Sequence, residues 1–133
     1  FLMNIHCNLA GSYQKLADLN NSEEQLNAAI NVSKKISIKD DEYYYQLGIC
    51  FNQNATHKTI LGDYSMAKQM HQQAIENYKK IVNKDEFVWN EIYNEYSNLS
   101  RINYNQGSFK EAQKYFPATF IKFVEGLFNK ENL

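Results

Sequence analysis

A seven-residue corner recurs three times at one fixed spacing, and that spacing limits what the chain can fold into. The copies are Leu16-Ala17-Asp18-Leu19-Asn20-Asn21-Ser22, Leu61-Gly62-Asp63-Tyr64-Ser65-Met66-Ala67 and Gln106-Gly107-Ser108-Phe109-Lys110-Glu111-Ala112. The steps from Ala17 to Gly62 and from Gly62 to Gly107 are both 45 residues. In each copy a small residue is followed by a polar one (Asp18, Asp63, Ser108) and a large apolar one (Leu19, Tyr64, Phe109). Three residues later a small side chain returns, at Ser22, Ala67 and Ala112. Glycine just after a helix can take the left-handed conformation that closes it. The large apolar residue pins the turn, and the small one lets the second helix lie close to the first. The matching extends beyond the corner: Lys34-Lys35-Ile36 pairs with Lys79-Lys80-Ile81, and Lys39-Asp40 with Lys84-Asp85. A fixed period of this length is the signature of stacked helix pairs.

The corner resembles that of the tetratricopeptide repeat, which runs small or Gly, polar, aromatic, then Ala. That family has a further small residue seven positions after the Ala; the places here hold Ala29, Ala74 and Thr119. The usual repeat is about 34 residues, so about eleven residues are extra, roughly 16 Å of added helix shared by two helices. The resemblance implies an all-α fold, an α–α superhelix of three TPR-like helix pairs with a 45-residue period. The repeats would span about 1–39, 40–84 and 85–133 of a single domain covering 1–133. The chain opens at Phe1 without a methionine, and it is read as a fragment of a longer protein.

Periodicity places six helices. The first, over about 2–17, shows Leu2, Ile5, Leu9, Ser12-Tyr13 and Leu16 at three- and four-residue steps and is expected to bury that stripe. Ser22 with Gln25 reads as a capping box opening a second helix to about Ile38, with Leu26, Ala29, Ile30 and Ser33 inward. An aspartate of Lys39-Asp40-Asp41 caps the third, which runs to Leu61 with Tyr44, Leu47, Phe51 and Ala55 on one face. The fourth, over about 64–82, turns Ala67, His71, Ala74, Ile75, Tyr78 and Val82 inward. The fifth, over about 86–105, packs through Trp89, Ile92, Tyr96 and Leu99. A sixth begins near Phe109, is interrupted at Pro117, and ends in the apolar run Phe120, Ile121, Phe123, Val124, Leu127 and Phe128. That run suits packing on a further repeat, on its own array or on a second subunit, the last giving a homodimer through the C-terminal helix.

The 133 residues suffice for a real core, and the net charge of −1 recruits neither nucleic acid nor an anionic membrane. No run of about 18 apolar residues is available to span a bilayer. Cys7 and Cys50 lie in apolar helical contexts and read as buried free thiols, which fits a cytoplasmic location. His6, His57 and His71 have no partner at metal-ligand spacing, and no glycine-rich phosphate loop or nucleophile elbow occurs. The Asp and Glu clusters at Asp40-Asp41-Glu42 and Asp85-Glu86 read as helix-start charges. The aromatic residues lack the interleaved lysines of a single-strand-binding surface. The expectation is a non-catalytic chain, with no cofactor, no metal and no bound nucleic acid.

One polar stripe stands apart. Asn94, Asn98, Arg101 and Asn105 share a face of the fifth helix, displaced from Ile92, Tyr96 and Leu99. The same places one repeat earlier are Ile49, Gln53, Thr56 and Ile60, and two repeats earlier Asn4, Asn8, Gly11 and Lys15. Amide side chains carry donors and acceptors and can clamp an extended peptide backbone, while Arg101 can pair with a carboxylate. The expected groove is Asn4, Asn8, Gln53, Thr56, Asn94, Asn98, Arg101 and Asn105. The places where carboxylate-clamp members of the family carry lysines hold Cys7, Gly11, Gln53, Asn94 and Asn98, which argues against that subtype. The long helices and asparagines are similar to those of peptide-sensing Gram-positive regulators of the Rap and PlcR type. That resemblance implies the ligand-sensing part of a transcriptional or signalling regulator, with a peptide or protein in the concave groove. Two other readings stay open: a constitutive interaction scaffold, and an accessory domain of an enzyme whose catalytic part lies elsewhere.

Overall fold

The computed structural model describes residues 2–115. Five complete helices fall in that range, α1 (Leu2–Lys15), α2 (Leu19–Lys35), α3 (Asp41–Ile60), α4 (Tyr64–Lys79) and α5 (Glu86–Asn105). A sixth, α6, occupies 109–115, and there is no strand among the described residues. The expected break at Pro117, Thr119 and the Phe120–Phe128 run lie outside them. The chain divides into two compact units, Phe1–Asn83 and Lys84–Leu133.

All three corners form, and they form alike. Ala17, Gly62 and Gly107 have φ of 59°, 78° and 78°. The N–H groups of Asp18, Asp63 and Ser108 donate to the carbonyls of Tyr13, Lys58 and Asn103 at 2.9, 2.9 and 2.8 Å. Those of Ala17, Gly62 and Gly107 donate to Gln14, Thr59 and Tyr104 at 3.0, 3.0 and 2.9 Å. This pair of bonds is the Schellman motif, which satisfies the last carbonyls of the outgoing helix. Asp18 and Asp63 then accept from the N–H of Asn21 and Met66, opening α2 and α4. Asp40 and Asp85, also 45 residues apart, cap α3 and α5 through Tyr43 and Val88. Each such cap contributes about 1 kcal/mol.

The left-handed conformation costs a residue with a Cβ roughly 1–2 kcal/mol and glycine almost nothing. Ala17 carries that cost where the other two corners do not. Replacing Ala17 by glycine is therefore expected to raise the unfolding free energy by about 0.5–1 kcal/mol, and Gly62→Ala to lower it by a similar amount. Urea titration of both variants checks the signs; a destabilised Ala17→Gly would contradict the conformational argument.

Unit Phe1–Asn83 is built from two helix pairs, α1 with α2 and α3 with α4, with α3 also packed on both α1 and α2. Met3, Cys7, Ala29, Tyr43, Leu47 and Cys50 form its central cluster, flanked by Ile30, Val32, Ile36, Tyr44 and Phe51. Because α3 is covered on two sides, its buried residues run from Tyr43 and Leu47 to Gly48, Cys50, Ala55 and His57 rather than along one stripe. The expected face is thus half right: Leu47 and Ala55 are buried, while Tyr44 and Phe51 are partly so. Gly48 makes room for the Tyr78 ring between α3 and α4, since a Cβ there would lie 2.7 Å from Tyr78 Cδ1 and Cζ. Asp41 closes the unit by accepting from the N–H of Val82 at 2.8 Å and of Asn83 at 3.1 Å. In unit Lys84–Leu133, α5 and α6 are joined by Ser100 Oγ donating to the Ala112 carbonyl at 2.9 Å and by the Tyr96–Tyr115 and Tyr104–Phe109 ring contacts.

Four expectations are corrected. The Leu2, Ile5, Leu9 and Leu16 stripe of α1 is exposed, and Met3, Cys7 and Ala10 are buried instead. Ser22 is not a cap: α2 starts three residues earlier at Leu19 behind Asp18, Ser22 is buried within it, and Gln25 Oε1 accepts from His6 Nδ1 at 2.7 Å. Val82 is exposed because α4 stops at Lys79 and the chain turns to meet Asp41. Cys7 and Cys50 are not free thiols but a disulfide, with Cα atoms 5.6 Å apart.

Candidate ligand-binding faces

The eight polar residues singled out from the sequence fall into two groups, one in each unit. In the first, Asn8 and Thr56 are exposed, and Asn4 and Gln53 are half-buried. Gln53 is held against α1 from two directions. Its side-chain amide occupies the space left by Gly11, 3.4 Å from where a Cβ would stand, and its backbone carbonyl accepts from Gln14 Nε2 at 3.1 Å. One turn earlier Cys50 is bonded to Cys7. Gln53 therefore packs between α1 and α3 and is half-buried there. The Thr56 hydroxyl donates to the Asn52 carbonyl at 3.1 Å, so its proton is already used.

In the second group, Asn94, Arg101 and Asn105 are exposed and Asn98 is half-buried. The buried positions of α5 are Val88, Ile92, Glu95, Leu99, Ile102 and Asn103. At 3.6 residues per turn, the Asn94–Asn105 face lies about a third of a turn away from that side. Asn98 Oδ1 accepts from the Arg101 guanidinium at 2.7 Å. The contact orients the arginine along the helix and leaves donors free on both side chains. Glu91 borders the same face, and burial raises its carboxyl above the ordinary range. Trp89 and Tyr93 stack 6.3 Å apart on another side of the helix.

The burial of His57, read in the sequence only as a histidine without a metal-ligand partner, is a feature that the spacing did not reveal. The residue is 1 % exposed, and neither ring nitrogen has a hydrogen-bond partner. Burial holds its imidazole below the ordinary value of 6.5; Glu23 opposes that shift and Lys58 adds to it. Lys58 Nζ and Glu23 Oε1 are themselves 3.8 Å apart. Because the folded-state pKa is depressed, the unfolded chain binds the proton first as pH falls. The contribution of a neutral His57 is thus complete above about pH 6.5 and is lost below it, by at most about 1.4 kcal/mol per pH unit. Subtracting the stability profile of His57→Leu from that of the parent between pH 7 and 5 is expected to show this one-proton slope. A flat difference would mean that the ring is solvated.

Among the described residues no group of three His, Cys, Asp or Glu side chains is placed to hold a metal ion, and no helix is long and apolar enough to cross a membrane. His71, expected in the core, is buried on α4. Asp40 and Asp85 are structural caps, as their place at helix starts implied. The disulfide did leave a signal in the sequence. Cys7 and Cys50 are 43 residues apart, two short of the repeat step. Two residues turn a helix position by about 200°. Cys7 and Cys50 therefore lie on nearly opposite faces of corresponding helices, so facing sides of α1 and α3 can bring them together. Compared with family models, with curated proteins and with solved structures, the chain has no match.

Proposed function

We propose that this chain is a non-catalytic, tetratricopeptide-like repeat domain that binds an extended peptide or a partner's peptide segment, as the ligand-sensing part of a regulatory protein. The observation that carries the reading is the α5 face. Asn94, Asn98, Arg101 and Asn105 lie on a side of the helix that the core does not use, and Asn98 bonds Arg101 without exhausting either side chain. Amides at successive turns suit the alternating donors and acceptors of an extended backbone, and Arg101 suits an acidic side chain or terminus. In the superhelical reading the three corners stack helix pairs, and small changes between neighbours add up along the array, which lets a ligand be sensed as curvature. Asn4, Asn8, Gln53 and Thr56 would offer a second, separate set of polar groups on unit Phe1–Asn83, with the Gln53 side chain packed against Gly11. The expectation of a cytoplasmic location rested on free thiols, and the Cys7–Cys50 bond removes that support. Buried cross-links of this kind belong to oxidising compartments.

The test is selection against a phage-displayed library of random heptapeptides. Enriched peptides are expected to lose about tenfold or more in affinity with Asn94→Ala and with Asn98→Ala, a loss of one or two buried hydrogen bonds. Arg101→Gln is expected to remove any preference for acidic peptides, with the helical melting curve unchanged in all three. No enrichment, or binding that ignores these substitutions and Gln53→Ala, would overturn the reading.

A further inference from the structure

We propose that the α5 face selects its peptide by charge, with Glu91 receiving a cationic group and Arg101 an anionic group of one extended segment. This selection rests on the peptide-binding role of the face. Glu91, Asn94, Asn98, Arg101 and Asn105 follow one another at steps of three, four, three and four residues. Such steps keep side chains on one side of a helix. Glu91 thus begins the stripe that the asparagines continue.

Neither charge is met by an opposite one among the described residues. The Glu91 carboxyl is half-buried and takes part in no hydrogen bond or ion pair there. Burial alone raises its pKa, with no neighbouring charge acting on it. Arg101 is the only basic residue of α5, and it donates to the neutral Asn98 Oδ1 at 2.7 Å. A carboxylate withdrawn from water without a partner is costly, and an arriving cation offsets that cost.

The repeat does not ask for either charge. The places of Glu91 and Arg101 hold Gln46 and Thr56 one step earlier, and Phe1 and Gly11 two steps earlier. Gln46 donates to Glu42 at 2.9 Å and Thr56 to the Asn52 carbonyl at 3.1 Å, so both serve their own helix. Glu91 has no such duty, and the cap of α5 is Asp85. The two charges are therefore additions to a framework that folds with neutral residues in their places.

Their separation sets the occupant. Ten residues of helix are about 15 Å long, and an extended chain covers that length in about four or five residues. A free amino acid is too short to meet both ends. A peptide segment with an ammonium group at one end and a carboxylate at the other meets both. Asn94 and Asn98 stand between the charges, where their amides can hold the backbone.

Fluorescence polarisation with four pools of blocked peptides, each about five residues long, tests this at about pH 7.5. The two end places carry Lys with Glu in either order, Lys with Lys, Glu with Glu, or Gln with Gln, and the central places are random and uncharged. The Lys–Glu pool is expected to bind the whole chain about tenfold more tightly than any other pool, the scale of a charge-assisted contact. Glu91→Gln is expected to abolish that preference. Glu91→Lys is expected to transfer it to the Glu–Glu pool. The melting curve should be unchanged in both, because Glu91 makes no bond within the chain. A Lys–Glu preference that survives either substitution would overturn the proposal. Equal binding of all four pools, lost with Asn98→Ala, would overturn it while leaving the peptide-binding role in place. Binding of none would remove both.

Discussion

Replacing Gly48 by alanine is expected to destabilise the Phe1–Asn83 unit by about 3 kcal/mol, the upper end of the usual cost of overpacking a core. Alanine is the better helix former by about 1 kcal/mol, so propensity alone predicts stabilisation. Packing overrides it. The added Cβ would stand 2.7 Å from Tyr78 Cδ1 and Cζ, and Tyr78 is fully buried. Either α3 and α4 separate, or the ring leaves its site; both lose close-packed contacts along the helix pair. The places one repeat earlier hold Met3 and Ser33, a large and a small residue in the reverse order, so each pair has room for one large side chain. Urea unfolding of Gly48→Ala, Tyr78→Leu and the double variant checks the contact. The double variant should be more stable than the sum of the single losses predicts, by 1 kcal/mol or more on the scale of about 0.5–3 kcal/mol seen for touching residues. An additive cycle would show that the two positions do not meet.

Opening the Cys7–Cys50 bond is expected to cost about 4 kcal/mol. The sequence separation is 43 residues, and the chain-entropy relation gives about that figure for a loop of this length. Both cysteines are buried in the cluster that joins the first helices of two successive repeats, so the loss should be felt where α3 meets α1 and α2. Melting with and without a reductant is the direct measurement. The oxidised parent should unfold at clearly higher urea than the reduced one, and Cys7→Ala/Cys50→Ala should be indifferent to the reductant. Equal curves for the oxidised and reduced parent would mean that the packing alone carries the junction.

The corners were legible in the sequence because their causes are local. A residue in the left-handed conformation, a capping aspartate and a small residue at the start of the next helix act within seven positions, and each leaves its mark there. Ala17, Gly62 and Gly107 could therefore be placed before any coordinates, and the α3 cap could be narrowed to Asp40 or Asp41, of which Asp40 makes the bond. The polar face of α5 was legible for the same reason: helical spacing alone separates Asn94, Asn98, Arg101 and Asn105 from Ile92 and Leu99. Ser22 shows the limit of local pattern. Its capping-box spacing with Gln25 is real, but Asp18 stands one turn earlier in the corner and takes the cap, and Gln25 turns to His6.

What α1 buries was decided only by tertiary structure. Its sequence carries two stripes, and the more apolar one, Leu2 to Leu16, loses the interior to Met3, Cys7 and Ala10. The neighbouring first helix approaches on the side where small residues let it come close and where Cys7 can reach Cys50. Periodicity measures how apolar a face is, not which neighbour arrives at it. The same holds for His57, whose polarity suggests a surface and whose position between α3 and its neighbours buries both nitrogens. The sequence by itself determined where the helices turn and how often. The packing of one helix pair on the next determined which faces became core, because that choice depends on contacts 43 or more residues apart that no local pattern encodes.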